Sequence, residues 1–150
     1  MSAAEHEVTL TVSAACPSHS RADVSVRDTG LVIDEPLARG GGNAGPTPTD
    51  TVLAALAGCT NVIAHKCAKR LGVDLGELDI EVRAVFDRRG VTLAEEIDVP
   101  FRAVELTVRA HGRASAEELE RVAAETRKHC PLSKLFTGAG TTLTERWETV

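Results

Sequence analysis

The chain has 150 residues, of which 43% are hydrophobic and 26% charged, a composition typical of a globular domain with its own core. Its net charge is −5 and its Lys and Arg residues form no run, which argues against nonspecific binding to nucleic acid or anionic membrane. With one Trp, three Phe and no Tyr, the chain has few rings on which bases or sugars could stack.

The N-terminal part predicts a small antiparallel β-meander over about residues 7–34. In EVTLTVSAA (7–15), valine and leucine alternate with threonine, as in a half-buried strand. The pattern returns in ADVSVRD (22–28), and after the turn DTG the segment LVID (31–34) continues as a third strand. A glycine- and proline-rich loop, EPLARGGGNAGPTP, then occupies residues 35–48.

A long central helix is predicted over about residues 48–71. Thr47 suits the N-cap, Pro48 the first helical position, and Asp50 completes a capping box three residues after the cap. Gly72 provides the stop signal. The first half of the helix has no polar face, and a helix that is apolar all round is expected to be buried all round. We therefore expect a homodimer that buries this helix in a shared core.

The C-terminal part, about residues 78–150, predicts the order ββαβ. Strands are predicted at LDIEVRAVFD (78–87) and FRAVELTVRAHG (101–112). A capping box from Ser115 to Glu118 begins a helix that ends near His129, and a last strand is predicted around TTLTERWE. We see no repeat and no linker, so the prediction is a single domain, residues 1–150, of the α+β class.

The compartment is predicted to be the cytoplasm. The start, MSAAEHEV, has neither the basic region nor the apolar run of a signal peptide. The longest apolar stretch, Val52–Ala64, has about 13 residues against the ~20 that span a bilayer. We therefore expect no membrane partner and reduced cysteines rather than a disulfide framework. The four cysteines are Cys16, Cys59, Cys67 and Cys130.

Cys130 is the stronger candidate for a reactive thiol by local pattern. Because Pro131 follows it, CPLSKLF is expected to form a short helix with Cys130 as its N-cap. The positive end of a helix dipole favours a thiolate at that position. The alternative is a plain helix break with an idle cysteine.

Cys59 lies in the apolar half of the central helix. Burial in apolar surroundings raises a thiol pKa, so the simplest interpretation is a small core residue. The thiol would be reactive only if the fold brought a cation to it, and Arg21, Arg27 and Arg39 are the candidates.

The remaining cysteines and histidines suggest no cofactor. Cys67 is expected to be a packed thiol, and Cys16 has no assigned role. The residues Cys59, His65 and Cys67 lack the spacing of a metal site, so we expect no metal. The glycine run RGGGNAG lacks the Lys-Ser/Thr of a phosphate-binding loop, so we also expect no nucleotide.

Two segments carry a family resemblance. GPTPTDTVLAALAGCTNVIAHKCAKRLGV (45–73) resembles the central helix of the OsmC/Ohr family of thiol peroxidases, and HCPLSKLF (129–136) resembles its second cysteine motif. The order of elements is similar as well. The resemblance implies an OsmC-like fold, with antiparallel sheets wrapped around the long central helices of an intertwined homodimer. It also implies reduction of organic hydroperoxides in oxidative or osmotic stress defence.

The resemblance also implies roles for the two thiols. Cys59 would be the peroxidatic cysteine that attacks the peroxide, and Cys130 the resolving cysteine that closes a disulfide. A dithiol reductant, of the lipoyl type or another thiol, would reopen it. The family has an activating arginine in the N-terminal meander, for which Arg21 is the nearest match and Arg39 the second.

One departure from the family pattern concerns the acid that orients this arginine. The family has a Glu just before the central helix, where this chain has Thr49 with Asp50 beside it. Asp50 either replaces that Glu or only caps the helix. The departure favours an alternative function, an OsmC-like dimeric ligand-binding or structural protein with little or no peroxidase turnover.

Overall fold

The computed structural model describes residues 2–150 and has a mixed α+β fold with two three-stranded sheets and three α-helices. It divides into two compact units, Met1–Val52 and Leu53–Val150, which we call the N-terminal and C-terminal units. The single-domain organisation stays a prediction.

The N-terminal unit contains a sheet of three antiparallel strands: β1 (Ser13–Ala15), β2 (Ala22–Val26) and β3 (Thr29–Ile33). The first strand is shorter than the alternation predicts, since residues 7–12 join no ladder. Their apolar side chains are exposed: Val8 by 81%, Leu10 by 86% and Val12 by 62%. Alternation marks a segment that can pair, whereas a strand forms only where a partner supplies the hydrogen bonds.

The glycine-rich loop of this unit folds around a buried carboxylate. Asp34, 1% exposed, accepts the backbone N–H groups of Glu35 at 2.8 Å, Gly42 at 3.1 Å and Ala44 at 3.1 Å. These hydrogen bonds lower the pKa of Asp34 below its ordinary value, and the bond from Ala44 has the largest effect. A Cβ on Gly41 would collide with the carbonyl of Glu35, so the tight return of the loop requires glycine there.

The central helix, α1, spans Pro48–Leu71, the range predicted from its caps. The N–H of Asp50 donates to Oγ1 of Thr47, and the N–H of Thr47 donates to Oδ2 of Asp50, both at 3.1 Å. This reciprocal capping box confirms the predicted start. Gly72, at φ 71°, ends the helix in the left-handed conformation that glycine adopts readily.

The apolar half of α1 is buried on one side only. Its inward side presents Leu56 and Thr60, whereas Ala54, Gly58 and Val62 are exposed. A Cβ on Gly58 would meet no atom within 4 Å. Within residues 2–150 of a single chain, this half of α1 is therefore covered on one side, and its burial all round in a dimer stays a prediction.

By length and composition, α1 also qualifies as a membrane span, with a mean hydropathy of 1.2 over 18 residues of which 28% are buried. The central helix of a soluble protein passes the same test. The stretch Val52–Ala64 therefore underestimates how much of α1 is apolar: an 18-residue window of the helix is apolar enough to pass the test. The cytoplasmic location stays a prediction.

The C-terminal unit contains the second sheet and two further helices: β4 (Leu78–Phe86), β5 (Phe101–Ala110), α2 (Ala116–His129), α3 (Pro131–Gly138) and β6 (Thr142–Thr149). The strand order is β4-β5-β6, with β4 and β5 antiparallel but β5 and β6 parallel. The prediction of antiparallel sheets is therefore confirmed for the first sheet and for β4 with β5, but it is wrong for β5 with β6. The helices α2 and α3 carry the chain back across the sheet, so that Thr142 of β6 begins opposite Ala103 near the start of β5.

The core of the C-terminal unit lies between the inner face of the sheet and the helices. On β5, Val104, Leu106 and Val108 are at most 1% exposed. A cluster of buried residues joins the second half of α1 to the start of α2; its members are Ala64, Cys67, Ala68, Val73, Leu75, Ala110, Ala114, Leu119 and Val122. The core thus fixes α1 and α2 against each other, which positions the segment that follows α2.

Candidate active site

Cys130 is held at the junction of two helices. It is fully buried, and it is both the C-cap of α2 and the N-cap of α3. Its N–H donates to the carbonyl of Thr126 at 2.8 Å, and its own carbonyl accepts from Lys134 at 3.1 Å. Pro131, which cannot continue α2, forces the break between the helices. The backbone of both helices therefore fixes the position of this cysteine, as the CPLSKLF pattern predicts.

The helix that starts at Cys130 is anchored to the sheet. The ring of Phe136 on α3 packs edge-on against Phe101 of β5, with ring centroids 5.3 Å apart. Oγ1 of Thr141, just beyond α3, donates to the carbonyl of Phe101 at 2.8 Å. Both contacts hold the C-terminal part of α3 against β5.

Cys59 lies on α1 and faces this junction. Its Sγ is 3.4 Å from the Sγ of Cys130, although the two residues are 71 positions apart. Cys59 is half-buried and Cys130 is buried, and both are free thiols. Since a disulfide bond measures about 2.05 Å, a small approach of the two sulfurs would permit a bond. The structure therefore brings together the two cysteines that the sequence selects for thiol chemistry.

Opposing influences act on the Cys59 thiol. Burial, and after it the hydrogen bond with Cys130, raise the pKa of Cys59 above its ordinary value, whereas the N–H of Leu132 and the charge of Lys66 lower it. The balance is a raised pKa. Leu132 is the second residue of α3, so its amide is one of the helix-start donors without an intrahelical partner.

The structure confirms Cys130 as the N-cap of α3, as the pattern predicts, and brings a second thiol to the same helix end. The backbone N–H of Leu132, in the first turn of α3, reaches the sulfur of Cys59. The positive end of α3 therefore acts on the thiol of α1.

Sequence reasoning missed Leu132 and Lys66. A backbone donor leaves no trace in side-chain patterns, so Leu132 could not have been found. The position of Lys66 could have been inferred from helical spacing. Seven residues separate it from Cys59, almost two full turns, so both lie on the same side of α1. Beside Cys59, Thr60 turns inward with 1% exposure, and its hydroxyl has no partner among residues 2–150.

The predicted arginines and acid lie in the N-terminal unit. Arg21 pairs with Asp23 at 2.8 Å, and Arg39 pairs with Glu35 at 3.0 Å. Arg27 occupies a turn at φ 54°. Asp50 caps α1, which realises one of the two roles that the sequence left open for it. A role for any of them at Cys59 stays a prediction.

The two remaining cysteines have other environments. Cys67 is buried in the core cluster, as expected of a packed thiol, and Cys16 is exposed directly after β1. Within residues 2–150, no three His, Cys, Asp or Glu side chains are grouped as metal ligands would be.

Comparison with known proteins identifies the fold family. The family model described as OsmC-like protein matches residues 40–146. No functionally curated protein matches the chain. Among solved structures, the chain is similar to the OsmC-like protein from Mycoplasma pneumoniae, with a TM-score of 0.80 and 18% identity over 96% of this chain and 99% of that chain.

Two further similar structures are named for hydroperoxide resistance. The organic hydroperoxide resistance protein OhrB of Bacillus subtilis has a TM-score of 0.64 and 20% identity, covering 95% of this chain and 98% of that chain. The organic hydroperoxide resistance protein OsmC from Legionella pneumophila has a TM-score of 0.64 and 17% identity, covering 95% and 96%. At these identities the likeness concerns the fold. With the family match over most of its length, the chain belongs to the OsmC-like protein family.

Proposed function

We propose that this chain is a thiol-dependent peroxidase that reduces organic hydroperoxides through Cys59 and Cys130. The observation that carries the proposal is the 3.4 Å separation of the two sulfurs, one on the central helix and one at the start of α3. Membership of the OsmC-like family, and similar structures named for organic hydroperoxide resistance, support the same chemistry.

The first step oxidises Cys59. Its thiolate attacks the distal oxygen of the hydroperoxide, the O–O bond breaks, and the departing alkoxide takes a proton to leave as the alcohol. Cys59 then carries a sulfenic acid. The N–H of Leu132 stabilises the thiolate before attack, because it donates to the sulfur.

The second step forms the disulfide. The thiolate of Cys130 attacks the Cys59 sulfur, the S–O bond breaks, and hydroxide leaves as water after taking a proton. A dithiol reductant, of the lipoyl type or another class, then supplies two electrons and two protons and becomes oxidised itself. Both thiols are restored.

We further propose that Arg21 activates Cys59 and that Asp50 orients this arginine while capping α1. Burial and Cys130 leave the pKa of Cys59 raised, so the thiol needs a further cation to react rapidly near neutral pH. The implied activating arginine would supply it.

We propose that the working form is a cytoplasmic homodimer. The apolar row Val8, Leu10 and Val12 is exposed, and so are Ala54 and Gly58 on α1. A second copy would cover both, since small residues permit close approach of helices and the extended row has free backbone groups. Light scattering during gel filtration should give twice the chain mass, and a single-chain mass would refute this proposal.

The raised pKa of Cys59, with Thr49 at the place of the family Glu, favours a second candidate function. In that case the chain is a dimeric ligand-binding protein of the same fold with little or no turnover.

Stopped-flow consumption of cumene hydroperoxide, with dihydrolipoamide as reductant, separates the two functions. The peroxidase predicts rapid consumption that Cys59→Ser abolishes, whereas the matched variant Cys67→Ser on the same helix retains it. Consumption that survives Cys59→Ser would refute the mechanism, and slow consumption by the unaltered chain would favour the ligand-binding function.

A further inference from the structure

The last strand of the sheet carries an enclosed carboxylate. Along β6, Leu143, Glu145 and Trp147 alternate with the exposed Thr144 and Arg146. The side chain of Glu145 is only 2% exposed, and Trp147 packs against the buried cluster of the core. Burial of a carboxylate is costly, and an apolar side chain of similar volume would fill such a position at lower cost. Packing alone therefore does not explain Glu145.

Each oxygen of this carboxylate accepts one hydrogen bond. Nε1 of Trp147 donates to Oε1 of Glu145 at 3.1 Å, and Nη1 of Arg127 donates to Oε2 at 3.4 Å. Trp147 lies on the same strand as Glu145, whereas Arg127 lies in the last turn of α2. The indole holds the carboxylate on its own strand, and the charge-assisted bond from the guanidinium connects that strand to the end of α2.

This connection lies three residues before Cys130. The N–H of Cys130 donates to the carbonyl of Thr126, the residue next to Arg127. A second ion pair joins α2 to α1, between Arg70 and Glu125 at 3.6 Å, but its side chains are 67% and 28% exposed, so solvent screens it. Of these two links, the Arg127–Glu145 pair has the better shielded carboxylate. It is therefore the firmer polar restraint on the backbone that carries the buried thiol.

We propose that Glu145, acting through Arg127, is a positioning residue for the resolving cysteine. The pair holds the end of α2 so that Sγ of Cys130 stays 3.4 Å from Sγ of Cys59. The effect passes through the backbone of α2, and it is large because misplacement of a reacting group by about 1 Å can cost 100-fold in rate. The inference rests on the proposed peroxidase function, to which it adds a determinant of the second step.

Glutathione redox buffers measure this positioning without any peroxide. One glutathione disulfide oxidises the thiols of Cys59 and Cys130 to their disulfide and is itself reduced to two glutathione thiols. The fraction of disulfide, counted by alkylation and mass spectrometry, gives the effective concentration of one thiol toward the other. Glu145→Gln keeps an acceptor for Trp147 but removes the charge that binds Arg127. We expect the effective concentration to fall about tenfold in this variant.

Two further variants separate positioning from other effects of the substitution. Glu145→Leu fills the enclosed position with an apolar side chain, a replacement that is often neutral for stability, and it should lower the effective concentration as Glu145→Gln does. The matched control is Arg121→Gln, which removes an exposed cation of α2 that forms no ion pair within residues 2–150. It should leave the effective concentration unchanged. An unchanged value in either Glu145 variant, or an equal fall in Arg121→Gln, would overturn the positioning role.

The two chemical steps supply a second readout. After one equivalent of cumene hydroperoxide, Glu145→Gln should consume the peroxide at the rate of the unaltered protein but form the disulfide about tenfold more slowly. Dimedone should then trap more of the Cys59 sulfenic acid. An equal slowing of both steps would indicate a general structural effect and overturn the proposal. If the unaltered chain does not consume the peroxide, the peroxidase function fails, and the glutathione measurement alone decides the positioning role.

Discussion

Replacement of Leu132 by proline isolates the contribution of one backbone amide to the reactivity of Cys59. Leu132→Pro deletes the N–H that donates to the sulfur. Proline is tolerated in the first turn of a helix, where the amides have no intrahelical partner, so α3 should still form. Leu132→Ala is the matched control, because it removes the side chain and keeps the amide.

The expected effect follows from the loss of one charge-assisted hydrogen bond. For a half-exposed sulfur we take about 1 kcal/mol, the value of a typical hydrogen bond and below the range for bonds to charged groups. The thiolate loses this stabilisation, so the pKa of Cys59 rises further. At a pH below that pKa, the thiolate fraction and the alkylation rate should fall about fivefold.

The assay is the rate of iodoacetamide alkylation of the Cys59 peptide, followed by mass spectrometry as a function of pH. The profile of Leu132→Pro should move to higher pH relative to Leu132→Ala. Superimposable profiles for the two variants, with α3 intact by circular dichroism, would show that the amide does not act on Cys59.

Three other predictions concern resolution, packing and pH. Cys130→Ser should leave a Cys59 sulfenic acid that dimedone traps after one equivalent of peroxide; rapid loss of that species would argue against Cys130 as the resolving thiol. Leu56→Ala empties a fully buried site on α1 and should lower the free energy of unfolding by about 2–5 kcal/mol in urea titrations; a negligible change would contradict this burial. Because the pKa of Asp34 lies below 3.8, its stabilising effect is complete above that pH and is lost as pH falls through the folded-state pKa. Thermal midpoints should therefore fall more steeply with acid in the unaltered protein than in Asp34→Asn, and parallel curves would contradict this.

The local features of the fold were predictable because short-range chemistry determines them. Thr47 and Asp50 cap the helix through side chains three residues apart, and Gly72 supplies the left-handed residue that ends it. A proline cannot continue the helix that precedes it but can begin a new one, so the junction at Cys130, before Pro131, was visible in the sequence.

The features that were not predictable depend on partners distant in the chain. Val8 and Leu10 alternate as in a strand, but pairing depends on a neighbour that alternation cannot specify. The direction of β6 relative to β5 follows from how far α2 and α3 carry the chain, which no residue pattern encodes. The contact of Cys59 with Cys130 spans 71 residues, and only the family resemblance suggested it.

In the candidate site too, one neighbour of Cys59 was predictable from the sequence and another was not. Lys66 could be inferred from helical spacing, since its distance from Cys59 is close to two full turns. The amide of Leu132 could not, because every non-proline residue of a helix start carries the same donor and only the packed structure shows which sulfur it reaches.

The most direct test of the central claim is to map the disulfide formed in a single turnover. One equivalent of cumene hydroperoxide is added to the reduced chain, and the product is digested without reduction and analysed by mass spectrometry. The account predicts one linkage, between the peptides of Cys59 and Cys130, with Cys16 and Cys67 still free. A product in which Cys59 remains a thiol, or in which the bond joins another pair of cysteines, would contradict it.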